Sequence, residues 1–216
     1  MKETPMRRLP MLLVLCSIMA AALAQAREPI VGLPCEGCEA VFDGLPATLA
    51  SRARIVPTAE PGEPMLVSGR VLGPEGAPRA GIVVYAYQIN DRGIYPPPSR
   101  GRVSHRHGAL RAWVSSYGEG RYAFDTIRPA SYPSRDTPQH IHLHVLERGC
   151  STYYIDDILF KDDPLLSDAH ARSRLGRGGP GIGTPKRHKG VWHITRDIRL
   201  GHNIPGYRPC VRRIAD

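Results

Sequence analysis

The sequence predicts an all-β fold, an antiparallel β-sandwich with long loops, on three observations. Short runs rich in Val, Ile, Tyr, Phe and Thr recur along the chain, turn signals such as "GPEGAP" and "SYGEGRY" separate several of them, and almost no stretch sustains a helical period.

The elements follow in order. "MLVSGRVLG", "GIVVYAYQI", "LRAWVSSY", "GRYAFDTI", "HIHLHVLE", "STYYIDDILF" and "VWHITRDIRL" read as strands. Before them, residues 27–60 read as an N-terminal arm with one short helix around "EAVFDGLPATLASRA", and "PTAEPGEP" punctuates the chain like a linker. Residues 61–216 then form the sandwich domain. Residues 161–190, "KDDPLLSDAHARSRLGRGGPGIGTPKRHKG", form the one long irregular piece, and a loop of that length is either a lid or disordered. Its "GRGGPG" matches a dinucleotide fingerprint only formally, because Pro180 interrupts it and no βαβ unit surrounds it.

Residues 1–26 read as an export signal, with Lys2, Arg7 and Arg8 ahead of the apolar run "MLLVLCSIMAAALA" and Ala24-Gln25-Ala26 as the cleavage site. The segment is too short for a membrane span, so the mature chain is expected in the periplasm or outside the cell, with no membrane attachment. Lipoprotein processing at Cys16 is disfavoured by Leu15. The full chain carries a net charge of +9; the signal holds three basic and one acidic residue, which leaves +7. The basic residues are scattered, with a modest cluster in "GTPKRHKG". A solvated surface or an anionic small substrate fits this better than nucleic acid.

Cys35, Cys38, Cys150 and Cys210 remain after cleavage, an even number that reads as two disulfides in an oxidising compartment. Three pairings stay open. "CEGC" lacks the strand and helix of a thioredoxin-like redox pair, and no zinc partner stands at the usual spacing.

"HIHLHV" carries the chemistry. Alternation sends Ile141, Leu143 and Val145 to one face and His140, His142 and His144 to the other, with successive histidine backbones ~6.6 Å apart. Two imidazoles at that spacing can converge on one ion. The plain alternative is a solvent-facing strand with polar residues that happen to be histidine.

The chain around this strand resembles the intradiol ring-cleavage dioxygenases, non-haem ferric enzymes that open catechols between their hydroxyls. "NDRGIY", "SYGEGRYAFDTIRPASYP" and "HIH" carry the resemblance, which spans roughly Gly69 to Phe160. It implies Fe(III) held by Tyr95, Tyr132, His140 and His142, with a small aromatic diol and O2 as substrates and a muconate-type diacid as product. Tyr132 would leave the metal as the diol binds and take one of its protons. Tyr122 reads as a core residue, and His144 as a second layer or surface histidine. Phenolate oxygen is a hard anionic donor that favours ferric over ferrous iron.

The match departs at two positions of the expected catalytic surroundings. Thr137, in "DTPQHIH", stands where the family carries an arginine, and a hydroxyl cannot supply a guanidinium's charge-assisted hydrogen bonds. Asp157, in "DDILF", stands where the family carries a glutamine, and a carboxylate there repels a catecholate unless protonated or paired. Arg135, and His105, Arg106 and His107 of "SHRHG", lie near the motifs in sequence. A second class of function is a secreted β-sandwich metal-binding or interaction module without ring cleavage, which keeps the metal site or only the scaffold, or binds copper or zinc through His140, His142 and His144. Assembly into a homo-oligomer is an open alternative.

Overall fold

The structure is a computed structural model that describes residues 28–35, 37–98, 107–134 and 136–210. Two sheets face each other. In the first, β1 (Arg52–Arg54), β5 (Arg121–Ile127), β2 (Pro64–Leu72), β10 (Val191–Thr195) and β9 (Lys186–His188) lie in that spatial order, and β11 (Ile198–Arg199) also pairs with β2. The second runs β4 (Arg111–Ser115), β3 (Val83–Tyr87), β6 (His140–Glu147), β7 (Ser151–Phe160) and β8 (Ile182–Gly183).

The sandwich expected from the strand pattern is present, but its sheets are mixed rather than antiparallel. Pairs β2–β5, β3–β4, β3–β6 and β6–β7 are antiparallel, whereas β1–β5, β10–β2, β11–β2 and β7–β8 are parallel. Parallel neighbours need long crossovers. The segment between Phe160 and Ile182 supplies one of them, and the distant chain ends supply the others.

Period-2 alternation explains the core. Met65, Val67 and Val71 of β2, Phe124 of β5, Val84 and Ala86 of β3, and Ile141, Leu143 and Val145 of β6 meet between the sheets. Each Val, Ile, Leu, Met or Phe among them, fully buried, stabilises the fold by roughly 1.5–3 kcal/mol. Tyr122 joins this core and donates its hydroxyl proton to the Arg196 carbonyl.

Alternation breaks once, at a bulge. Pairing passes from Ile141 with Ile158 to Leu143 with Ile155, so that His142 alone faces Asp156 and Asp157. The extra residue lets Tyr153 and Ile155 before it and Ile158 and Phe160 after it all point into the core.

The outer face of the second sheet is covered by the arm. Where a helix is expected, the chain makes only a 3-10 turn, Cys38–Phe42, because Gly44 and Pro46 end it and the chain extends into β1. Val41 packs on Tyr85 and Tyr87, while Trp113 Nε1 donates to the Val41 carbonyl at 2.7 Å and Arg111 to that of Asp43 at 2.9 Å. Two disulfides form, Cys35–Cys38 and Cys150–Cys210, which selects one of the three pairings.

The segment 161–190 is described throughout. It holds a short helix, α1 (Asp168–Arg172), whose N-cap Ser167 accepts from the His170 backbone, together with β8 and β9. No helix among the described residues is long and apolar enough to cross a membrane.

Candidate metal centre

Four side chains from three segments converge at the arm side of β6. His140 and His142 come from β6. Tyr95 comes from the segment after β3, and Tyr132 from the loop between β5 and β6. Tyr95 Oη lies 3.0 Å from Tyr132 Oη and 2.9 Å from His142 Nε2. His140 Nε2 lies 3.3 Å from Tyr132 Oη and 3.1 Å from His142 Nε2.

A glycine sets the two tyrosine segments against each other. Gly93 has a φ of 77°, and a Cβ there would run into the carbonyl of Ser131, the residue before Tyr132. Only glycine allows this approach.

Outer partners fix both imidazoles. His140 Nδ1 lies 2.7 Å from the Pro138 carbonyl and His142 Nδ1 lies 2.8 Å from Asp157 Oδ1, and both partners are acceptors. Both Nδ1 atoms therefore donate, so a neutral ring at either position turns a bare Nε2 lone pair inward. Two phenolic protons can serve two lone pairs, yet nothing bridges the 3.1 Å between the two Nε2 atoms. A cation would relieve that crowding. Donors at about 2.0–2.1 Å from one ion stand about 2.8–3.4 Å apart between right-angled and tetrahedral arrangements, and the separations here fall inside that range. The residues therefore fit a single metal ion.

The electrostatics point the same way. Burial pushes the Tyr95 phenol well above its usual range, and the hydrogen bond and charge of Tyr132 push it further. Burial, then the charge of His142, pulls His140 down and keeps it neutral. Burial raises the Asp157 carboxyl, but the charge and hydrogen bond of His142 outweigh it, and the net direction is down. Tyr95 thus keeps its proton near neutral pH unless a cation replaces it.

A cavity of about 220 Å³ opens beside these donors, lined by Tyr132, His140 and His142 on one wall and by Leu159, His170 and Arg174 on another. Thr137 also lines it, but its hydroxyl donates to Asp136 Oδ1 at 3.0 Å. Asp157 lines it as well, and its carboxylate is paired there, with Oδ1 2.8 Å from the outer nitrogen of His142 and Oδ2 3.8 Å from Arg174. The bulge in β7 places it there. Arg174 escaped the sequence reading because it lies in the long irregular segment; α1 brings it to the cavity.

His144 is not on the surface. It is 3% exposed and packs among Tyr85, Tyr87 and His107, near Cys35 and Cys38. His140, His142 and His144 form no common donor group among the described residues, so the three-histidine copper or zinc site is not built. Partners on neighbouring strands separate them: His142 stacks on Tyr87, and His144 lies opposite Tyr85 in the β3 register. His107 stacks on Tyr87 at 3.8 Å and lies 3.0 Å from the Tyr85 hydroxyl. His105, Arg106 and Arg135 lie outside the described residues, as do residues 1–27.

Fold and site together define a class: a β-sandwich with a two-tyrosine, two-histidine centre on the outer face of one sheet. Comparison with known proteins agrees with the fold. The Dioxygenase family model matches residues 46–187, and the chain belongs to that family, the intradiol ring-cleavage dioxygenases. It is 33% identical over 125 residues to the hydroxyquinol 1,2-dioxygenase of Rhizobium sp. (strain MTP-10005), a match covering 50% of this chain and 41% of that protein. It is 32% identical over 124 residues to the protocatechuate 3,4-dioxygenase beta chain of Burkholderia cepacia, covering 52% and 51%. The matches thus span about half the length of these relatives or less. Among solved structures, the intradiol ring-cleavage dioxygenase from Tetranychus urticae superposes with a TM-score of 0.56 at 18% identity, covering 86% of this chain and 98% of that one. The dioxygenase domain from Streptomyces sp. SirexAA-E gives 0.54 at 20% identity, covering 72% and 91%. These last two show the fold.

Proposed function

We propose that the chain is a non-haem ferric dioxygenase that opens a catechol-type ring between its two hydroxyls with O2, giving a muconate-type dicarboxylic acid. The observation that carries this reading is the convergence of Tyr95, Tyr132, His140 and His142 with both histidine Nε2 atoms turned inward. These four residues would hold the iron. When bound, ferric iron supplies Lewis acidity and an electron acceptor that make a chelated diol reactive toward dioxygen.

The protein's own groups do the rest. Tyr132 lines the cavity and Tyr95 stands behind it, so Tyr132, as the phenolate that bound iron would hold, would be the base that takes a diol proton. Asp157 and the Pro138 carbonyl keep the two imidazoles oriented. Leu159 gives the aromatic ring an apolar wall. Arg174 supplies positive charge on the side where Thr137 has none, favouring the anionic diol and the diacid product. Residues 1–26 direct export, so the enzyme works in the periplasm or outside the cell on a small aromatic diol.

The test is the visible absorption spectrum and metal content of the purified protein, before and after anaerobic addition of catechol. A tyrosinate-to-iron band that moves to longer wavelength on addition supports the reading. A protein that stays colourless after ferric reconstitution overturns it.

A further inference from the structure

We propose that Cys35, Cys38 and His144 form a second metal site, which opens on reduction of the Cys35–Cys38 disulfide and takes a thiophilic d¹⁰ cation such as Zn²⁺. The two sulfurs and an imidazole nitrogen of His144 lie within 4.8 Å of one another. None of the four residues of the iron-type site belongs to this group.

The second observation is His144 itself. Its Nδ1 is buried without a hydrogen-bond partner. A buried ring nitrogen has given up its bonds to water, at a cost of about 1–3 kcal/mol when nothing replaces them. Tyr85, Tyr87 and His107 pack around the ring with centroids 5.7–5.8 Å away, which fixes its place on the sheet. A cavity of about 260 Å³ lies against His144 and Cys35, with Pro34 and Tyr154 on its walls, and leaves room for a water as fourth ligand. Two thiolates, one imidazole and an open position form a donor set that zinc accepts.

The chemistry balances with a thiol reductant. Two electrons and two protons pass to the S–S bond and give two thiols, while the reductant leaves as its own disulfide. Cation binding then releases both thiol protons to solvent. In the oxidised chain the same sulfurs are neutral disulfide atoms and poor donors. The C-x-x-C spacing suits zinc, and its partner stands far along the chain, on β6.

The experiment is an anaerobic Co²⁺ titration of the full chain, stripped of metal, before and after reduction. The reduced chain should show a thiolate-to-cobalt charge-transfer band that saturates at one equivalent and is bleached by Zn²⁺. The band should be absent from the unreduced chain and from the Cys35→Ser/Cys38→Ser variant. Its absence from the reduced chain overturns the proposal, and so does an equal band in the serine variant, which would place it on Cys150 and Cys210. His144→Ala should weaken Zn²⁺ binding about tenfold or more in competition with a chromophoric chelator. His144→Phe keeps an aromatic ring in the packing and serves where the alanine variant fails to fold. Unchanged affinity in the folded variant overturns the three-ligand site. Tyrosine and histidine ligation of Co²⁺ gives no thiolate band, so failure here leaves the dioxygenase reading untouched.

Discussion

Asp157 Oδ1 lies 2.8 Å from His142 Nδ1, so a residue on one strand of the second sheet sets which nitrogen its neighbour turns toward the centre. Asp157→Ala should lower iron affinity about 10- to 100-fold by competitive chelation. Asp157→Asn should lose less, because its amide oxygen still accepts from Nδ1. Equal, full affinity in both variants would show that His142 is oriented by packing on Tyr87 alone.

The inner donors are tested by colour. Tyr132→Phe and His142→Ala should each abolish the ferric chromophore in a protein whose far-ultraviolet circular dichroism is unchanged. Full iron content and colour in either would remove that residue from the ligand set.

Gly93→Ala tests the junction between the tyrosine segments. With φ at 77° and the Ser131 carbonyl in the way, the substitution should cost about 1–3 kcal/mol in urea unfolding and should lower iron loading as well. A stable variant with full loading would mean that the two segments can shift apart without disturbing the donors.

Arg174→Ala should reduce kcat/KM for a catechol about tenfold, equivalent to ~1.4 kcal/mol, with the iron band retained. Arg174→Lys should recover part of the loss. An unchanged kcat/KM in the alanine variant would leave Arg174 as a partner of Asp157 only.

Glu147 gives a pH dependence away from the site. It is 2% exposed, and burial raises its carboxyl above 4.5, partly offset by the hydroxyls of Tyr153 and Tyr207. A carboxyl raised by folding keeps its proton in the folded chain after the unfolded chain has released its own. Stability from this group is therefore greatest below pH 4.5 and falls as the pH rises through the window above it. Glu147→Gln should flatten that slope between pH 4.5 and 7 in urea titrations. A slope identical to that of the parent chain would assign the dependence to other groups.

Much of this was legible in the sequence because it is local. The two-residue period of a strand sorts Ile141, Leu143 and Val145 from the histidines without knowledge of any neighbour, and glycine- and proline-rich turns mark strand ends. Tyr95, Tyr132, His140 and His142 were legible through the resemblance of "NDRGIY", "SYGEGRYAFDTIRPASYP" and "HIH" to the intradiol family. "STYYIDDILF" even carries the trace of the bulge, since its apolar positions step from Ile155 to Ile158 across two aspartates.

Pairing and reach were decided only in three dimensions. Parallel strand pairs, the choice among three disulfide pairings and the burial of His144 under the arm depend on contacts between residues far apart in sequence. Asp157 lines the cavity and is also held on His142, because the bulge leaves it and Asp156 facing that one residue. Arg174 reached the cavity because a five-residue helix turns an irregular segment back over it. Side-chain direction along one strand is a property of the backbone alone, and the sequence determines it. Which two distant side chains meet is set by how sheets, arm and crossover pack together.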